Sequence, residues 1–178
     1  MIIYCIRHGE TNSNLKGIVS GRSDEPLNQK GVEQAQEINN RLSDITFRAV
    51  YVSPMKRTLQ TAEIIIPEKQ FIIDERLAER DLASLKNHTI DELWNIPTWN
   101  SLQEMRTPEG AETFGSGQVR VRDFLLELKK KYQPNDKILL ITHSFISRCL
   151  WAIESNITKE QNFSKFSHRN NEIKIYKY

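Results

Sequence analysis

The sequence predicts an α/β protein, a three-layer sandwich in which a mostly parallel sheet is flanked by helices. Three observations predict it. Short apolar runs recur at Ile2–Arg7, Ala49–Val52, Phe71–Ile73 and Lys137–Thr142. Stretches with apolar residues at helical spacing fall between them. No repeat, low-complexity tract or linker interrupts the alternation, and 178 residues suit one hydrophobic core better than two. One domain over residues 1–178 is expected.

The elements follow in order. Met1-Ile2-Ile3-Tyr4-Cys5-Ile6 reads as a buried strand. Asn28 can cap a helix running to about Leu42, with Leu27 and Val32 placed as a hydrophobic staple. Ser53-Pro54 predicts a cap followed by proline at the first helical position, and a helix to about Ile66. Val121, Phe124, Leu125, Leu128 and Tyr132 form one apolar stripe at helical spacing. A further helix should follow His143 and end near Glu154. The alternating run Glu172–Tyr176 reads as an edge strand with one solvated face, and an antiparallel direction is open to it.

Composition excludes several classes. With 25 basic and 23 acidic residues the net charge is +2, too balanced to imply nucleic acid or a membrane surface. No apolar run approaches the roughly 20 residues of a membrane span. The first residues lack the basic-then-apolar pattern of a secretory signal. Cys5 and Cys149 both sit in apolar surroundings and suggest neither a disulfide framework nor a metal cluster. A cytoplasmic protein is expected. Oligomeric state stays open, a homodimer included.

The unusual polar residues share a position. His8 follows the first strand, Arg57 lies in the first turn after Ala49–Val52, Glu79 lies in the loop after Phe71–Ile73, and His143 follows Thr142 directly. All are at carboxyl ends of strands, the edge where open α/β sheets bind ligands. If those strands are parallel neighbours, the side chains converge. Arg7 and Arg57 offer fixed charge and fork-shaped donors matched to phosphate oxygens. Two imidazoles add a nucleophile and a further donor. No acidic cluster is present to hold magnesium, so no metal and no cofactor are expected. Phosphoryl transfer without a metal needs such a cationic cage.

Arg7-His8-Gly9-Glu10-Thr11, with Asn14 and Ser20-Gly21, resembles the opening motif of the histidine phosphatase superfamily, also called phosphoglycerate mutase-like. The likeness continues in order through Asp24-Glu25-Pro26-Leu27, Gly31-Val32-Glu33-Gln34-Ala35, Ser53-Pro54-Met55-Lys56-Arg57-Thr58, Leu77-Ala78-Glu79-Arg80, Pro108–Thr113 and Thr142-His143-Ser144. The resemblance implies a phosphoglycerate mutase-like fold. It makes His8 the nucleophile that becomes a phosphohistidine, and Arg7, Arg57 and His143 the rest of the phosphate cage. It makes Asn14, Ser20 and Gly21 secondary contacts. Glu79 would give a proton to the leaving oxygen and then activate water, a two-step scheme in keeping with covalent catalysis.

Two departures bear on substrate. Ser144 stands where glycine is common, and can narrow the pocket or cap the helix. Ala83 and Asn87 lie near the places of the glycines that usually follow the acid residue, which points to a stiffer or differently shaped loop. Substrate preference is expected to be set between Asn87 and Thr113, where Trp94, Trp99 and Phe114 are either core or pocket lining. His88 and His168 match no motif and are expected to be exposed. Cys5 has Thr11, not arginine, six positions on, which excludes a tyrosine-phosphatase nucleophile. His8-Gly9-Glu10 lacks the paired cysteines of a zinc deaminase.

The leading expectation is a phosphatase acting on a small phosphorylated metabolite. The second is a cofactor-dependent phosphoglycerate mutase. Mutases of the family carry extra chain between acid and second histidine, which helps to keep water out. Here Glu79 and His143 are 64 positions apart (143 − 79). A third reading is a protein that binds phosphorylated ligands without turnover.

Overall fold

The computed structural model describes residues 1–89, 91–92, 110–157 and 166–178. Among the described residues five strands form one sheet: β1 Ile2–Arg7, β2 Ala49–Val52, β3 Ile72–Ile73, β4 Lys137–Thr142 and β5 Ile173–Lys177. Their order is β3-β2-β4-β1-β5. The first four run parallel, and β5 pairs antiparallel with β1. Among the described residues the α-helices that accompany them are α1 Asn12–Leu15, α2 Gln29–Leu42, α3 Lys56–Ile65, α4 Phe114–Lys131 and α5 Ser144–Glu154.

Strand alternation divides the core in two. Ile3, Cys5, Tyr51, Ile138 and Leu140 pack with α4 and α5. Ile6, Val50, Val52, Leu139 and Ile141 pack with α2 and α3 on the other face. Successive side chains of a strand point to opposite faces, so a central strand must be apolar throughout. That is why β4 reads Ile-Leu-Leu-Ile without a polar break. Among the described helices none is long and apolar enough to cross a membrane.

Two helix starts show how local sequence decides. Asn28 caps α2, its side chain accepting from the Gly31 N–H at 2.8 Å. The expected cap of α3 is corrected. Helix α3 begins at Lys56 after Met55, with no side-chain cap. Ser53 and Pro54 lie outside it, because the Ser53 hydroxyl is engaged elsewhere. The α4 stripe Val121, Phe124, Leu125 and Leu128 is buried. Tyr132 ends that helix and meets the Tyr51 hydroxyl at 3.0 Å.

Gly9 and Gly31 press their backbones together, and a Cβ on either would overlap the other's loop. This contact seats the start of α2 against the residue after His8. Phe114 is core, packed edge-on against Phe145 at 5.8 Å. Trp94 and Trp99 fall outside the described residues. His168 is corrected from exposed to buried, at 2% exposure.

Candidate active site

Strands β1 and β4 are adjacent and parallel, with Arg7 level with Thr142. The next residue of each is therefore a histidine at the same sheet edge. The two rings lie 5.2 Å apart between centroids, inclined at 60°. Strand β2 lies on the other side of β4. The chain after it brings Arg57 within reach of both rings. The convergence expected of parallel neighbours is thus realised.

His8 is held in one tautomer. Its Nδ1 lies 2.8 Å from the Gly9 carbonyl oxygen, which only accepts, so Nδ1 carries the proton. Nε2 is left with its lone pair, and Arg57 Nε donates to it at 3.2 Å. The Gly9 peptide is fixed in turn. Its N–H donates to Thr61 Oγ1 at 3.1 Å, and Asn170 Nδ2 donates to the His8 carbonyl at 2.6 Å. Burial, then the charges of Arg57 and Arg7, hold the His8 imidazolium form well below its usual range. The ring is therefore neutral near pH 7 and keeps its nucleophilic lone pair.

His143 is fully buried. Its Nε2 lies 2.7 Å from Ser53 Oγ. Its Nδ1 faces Arg57 Nη2 at 3.4 Å and Glu79 Oε2 at 3.9 Å. Burial and the neighbouring Arg57 also push its pKa well below the usual value.

Arg57 is the hub. It donates from Nη1 to the Ser23 carbonyl at 2.7 Å and from Nη2 to the Gly21 carbonyl at 2.9 Å. It is 2% exposed. Arg7 donates to the His168 carbonyl at 2.9 Å, and its Nε is buried with no hydrogen-bond partner among the described residues. Burial lowers the pKa of both arginines, and the Glu79 carboxylate opposes the fall. Both stay charged at neutral pH.

Glu79 is seated by its surroundings. Its Oε1 accepts from the Arg80 N–H at 2.8 Å, and Arg22 Nε donates to its carbonyl at 2.9 Å. Glu112 ties this loop to α4. Its carboxylate takes Arg120 in a fork at 2.6 and 2.9 Å, and its carbonyl accepts from Arg80 Nε at 2.7 Å.

The remaining candidates serve the loop walls. Asn14 completes a reciprocal cap with Thr11 at the start of α1. Ser20 Oγ donates to Glu25 at 3.2 Å. Gly21 takes φ +50°, which presents its carbonyl to Arg57. Ser144 is half-buried and is the first residue of α5, whose cap is His143 with no side-chain bond. The helix-capping option for Ser144 is thereby corrected. Ala83 and Asn87 adopt φ +48° and +72°, left-handed conformations that glycine takes without steric cost.

Ser53, Arg80, Glu112 and Arg148 were not among the site residues expected from sequence. Ser53, Arg80 and Glu112 lie in segments that carry the family likeness, and Arg148 is the one charged residue of the segment Phe145–Ile153.

Residues 3–178 match the histidine phosphatase superfamily, branch 1. The "Probable phosphoglycerate mutase GpmB" of Enterobacter sp. (strain 638) is 32% identical over 156 residues, covering 83% of this chain and 72% of that one. The phosphoserine phosphatase of Entamoeba histolytica, solved in complex with 3-phosphoglyceric acid, superposes with a TM-score of 0.89 at 25% identity, over 98% of this chain and 89% of that one. Bacillus stearothermophilus YhfR superposes with a TM-score of 0.87 at 26% identity, over the same shares. A match along almost the whole chain, on a sheet edge that gathers both histidines and both arginines, makes this chain a member of the histidine phosphatase superfamily, branch 1.

Proposed function

We propose that this chain is a metal-independent phosphatase that hydrolyses small phosphomonoesters through a phosphohistidine on His8. One observation carries the reading. The Nε2 lone pair of a neutral, backbone-fixed imidazole meets Arg57 and faces a second buried histidine.

The chemistry runs in two steps. Nε2 of His8 attacks phosphorus as the ester P–O bond breaks, and Glu79 gives its proton to the departing alkoxide oxygen. Arg7, Arg57 and His143 offset the charge on the three non-bridging oxygens. Water then attacks the phosphohistidine and yields a proton to Glu79. The P–N bond breaks, and inorganic phosphate leaves with His8 restored. Asn14, Ser20, Gly21 and Ser144 would line the path of the phosphate or of the ester.

Phosphate release from a panel of phosphorylated metabolites, with chelator present and His8→Ala as control, tests this. Release that continues in His8→Ala, or that stops with chelator, overturns it. The likeness to the protein named as a probable phosphoglycerate mutase favours a second reading, transfer between positions of a phosphoglycerate. Isomerisation of 3-phosphoglycerate primed by 2,3-bisphosphoglycerate that outruns phosphate release would establish that one instead. A cytoplasmic location is part of the proposal.

A further inference from the structure

The chain that enters β5 passes the chain that leaves β1, because the two strands are antiparallel with Ile6 opposite Ile173. The turn before β5, residues 168–172, therefore lies against Arg7 and His8 and binds both. The His168 carbonyl accepts from Arg7 Nη1 at 2.9 Å, and Asn170 Nδ2 donates to the His8 carbonyl at 2.6 Å. The turn is itself braced. The Glu172 carboxylate accepts from the Arg169 N–H at 2.8 Å and from Lys174 Nζ at 2.9 Å, and the Glu172 carbonyl lies 3.0 Å from Nε2 of the buried His168 ring. Asn171 takes φ +64°, accepts from Arg41 Nη1 on its carbonyl and donates to Glu37 from its amide. Asn170 is thus presented by a turn tied to α2 as well as to β5.

The contact matters because of the peptide it grips. The bond from His8 Nδ1 to the Gly9 oxygen closes across the peptide that joins the two residues. If that peptide plane turns, the Gly9 oxygen swings away from the ring. Thr61 Oγ1, on α3, holds the N–H of the plane, and Asn170 holds its C=O. The following peptide is held by Gln34, whose Oε1 accepts from the Glu10 N–H at 2.8 Å. Thr61 and Gln34 grip Gly9 and Glu10, whereas Asn170 grips the carbonyl of the nucleophile itself. A proton kept on Nδ1 leaves Nε2 the lone pair that attacks phosphorus. As the P–N bond forms and the ester P–O bond breaks, the ring keeps that proton and becomes cationic. The Gly9 oxygen meets the new charge, so its bond is stronger in the transition state than before it. An imidazole that placed its proton on Nε2 would have no lone pair there.

We propose that Asn170 is a positioning residue for the nucleophile, which fixes the His8–Gly9 peptide and so keeps the Gly9 oxygen on Nδ1 and Nε2 aimed at phosphorus. It acts through the main chain of His8, so its effect falls on the chemical step and not on affinity. The inference rests on the phosphohistidine reading for turnover, but the state of the ring can be read without turnover.

Asn170→Asp keeps the shape and replaces the donor by an oxygen that, when ionised, only accepts. Nitrogen-15 NMR of the His8 ring in the ligand-free protein should show protonated Nδ1 and bare Nε2 in the wild type, and a mixture of tautomers in the variant. In the same variant kcat should fall by about tenfold or more, with KM and the Kd for vanadate changed by less than about threefold. Asn170→Gln, which keeps an amide donor, should restore part of the loss. Arg169→Ala, an exposed neighbour in the same turn, should leave both readouts unchanged. A like loss from Arg169→Ala would reduce the effect to the stability of the turn and overturn the assignment. So would a loss confined to KM, or, in an active protein, either readout moving without the other. If Asn170→Asp does not fold, as judged by circular dichroism, Asn170→Ala and Asn170→Gln carry the comparison. A tautomer change in Asn170→Asp of a protein that turns over no ester would uphold the positioning and sink the phosphatase reading.

Discussion

The Ser53 hydroxyl stands 2.7 Å from Nε2 of His143, across 90 positions of sequence. Arg57 Nη2 only donates, so its approach to Nδ1 at 3.4 Å places the ring proton on Nε2, directed at Ser53. In the proposed reaction a phosphate oxygen, which only accepts, would meet Nδ1 and would need the proton there instead. A hydroxyl both donates and accepts, so Ser53 can satisfy either tautomer. Ser53→Ala should lower kcat/KM by about ten- to a hundredfold, the cost of about 1.4–2.7 kcal/mol. Ser53→Thr should recover part of the loss. Nitrogen-15 NMR of the His143 ring should show a tautomer shift on vanadate binding that the alanine variant lacks.

Acid should destabilise the protein before its carboxylates titrate. His8 and His143 have pKa values pushed well below 6.5 by burial and adjacent cations, and burial lowers His168 to about 4. In the unfolded chain all three return to about 6.5. Above that pH neither state binds the protons and nothing is lost. Below it the unfolded state takes up protons that the folded state refuses, so stability falls as pH falls. The slope approaches about 1.4 kcal/mol per pH unit for each histidine. Urea unfolding between about pH 7.5 and 5.5 should show this decline, with net proton uptake on unfolding. A flat profile would contradict the burial of neutral rings.

Ala83 holds φ +48°. A left-handed conformation costs an L-residue with a Cβ roughly 1–2 kcal/mol, and glycine avoids this while losing some backbone entropy. Ala83→Gly should therefore raise stability by up to about 1 kcal/mol, read by thermal or urea denaturation. Asn87, at φ +72°, should gain less from the same change, because asparagine tolerates this region better.

Glu112 joins the loop that carries Glu79 to α4 through Arg120, Arg80 and Arg22. Glu112→Gln keeps the size but removes the charge that faces these arginines. Stability should fall by about 1–3 kcal/mol, and kcat should fall by about tenfold as Glu79 loses its seat. A change in stability alone would limit Glu112 to a structural part.

Much of this was legible in the sequence for a physical reason. The strands of a sheet buried on both faces are short apolar runs, and Ile138-Leu139-Leu140-Ile141 declares β4 without ambiguity. Once those strands are parallel, His8 and His143 must share an edge, so the convergence followed from position. What stayed hidden is long-range and polar. Ser53-Pro54 carries the local chemistry of a helix cap, and only tertiary structure diverts its hydroxyl to His143. His168 sits in a polar stretch, and it is buried because Phe166 and the Arg7 side chain meet it from distant parts of the chain. The left-handed turns at Ala83 and Asn87 left no trace in residue type at the first position and only a weak one at the second.

The most direct measurement is the covalent intermediate itself. The wild-type protein, mixed with a phosphorus-32-labelled small phosphomonoester and quenched in base, should carry label on His8. That label should be stable to alkali, lost in acid, and absent from His8→Ala. Turnover without a labelled intermediate, or label on any other residue, would contradict the central claim.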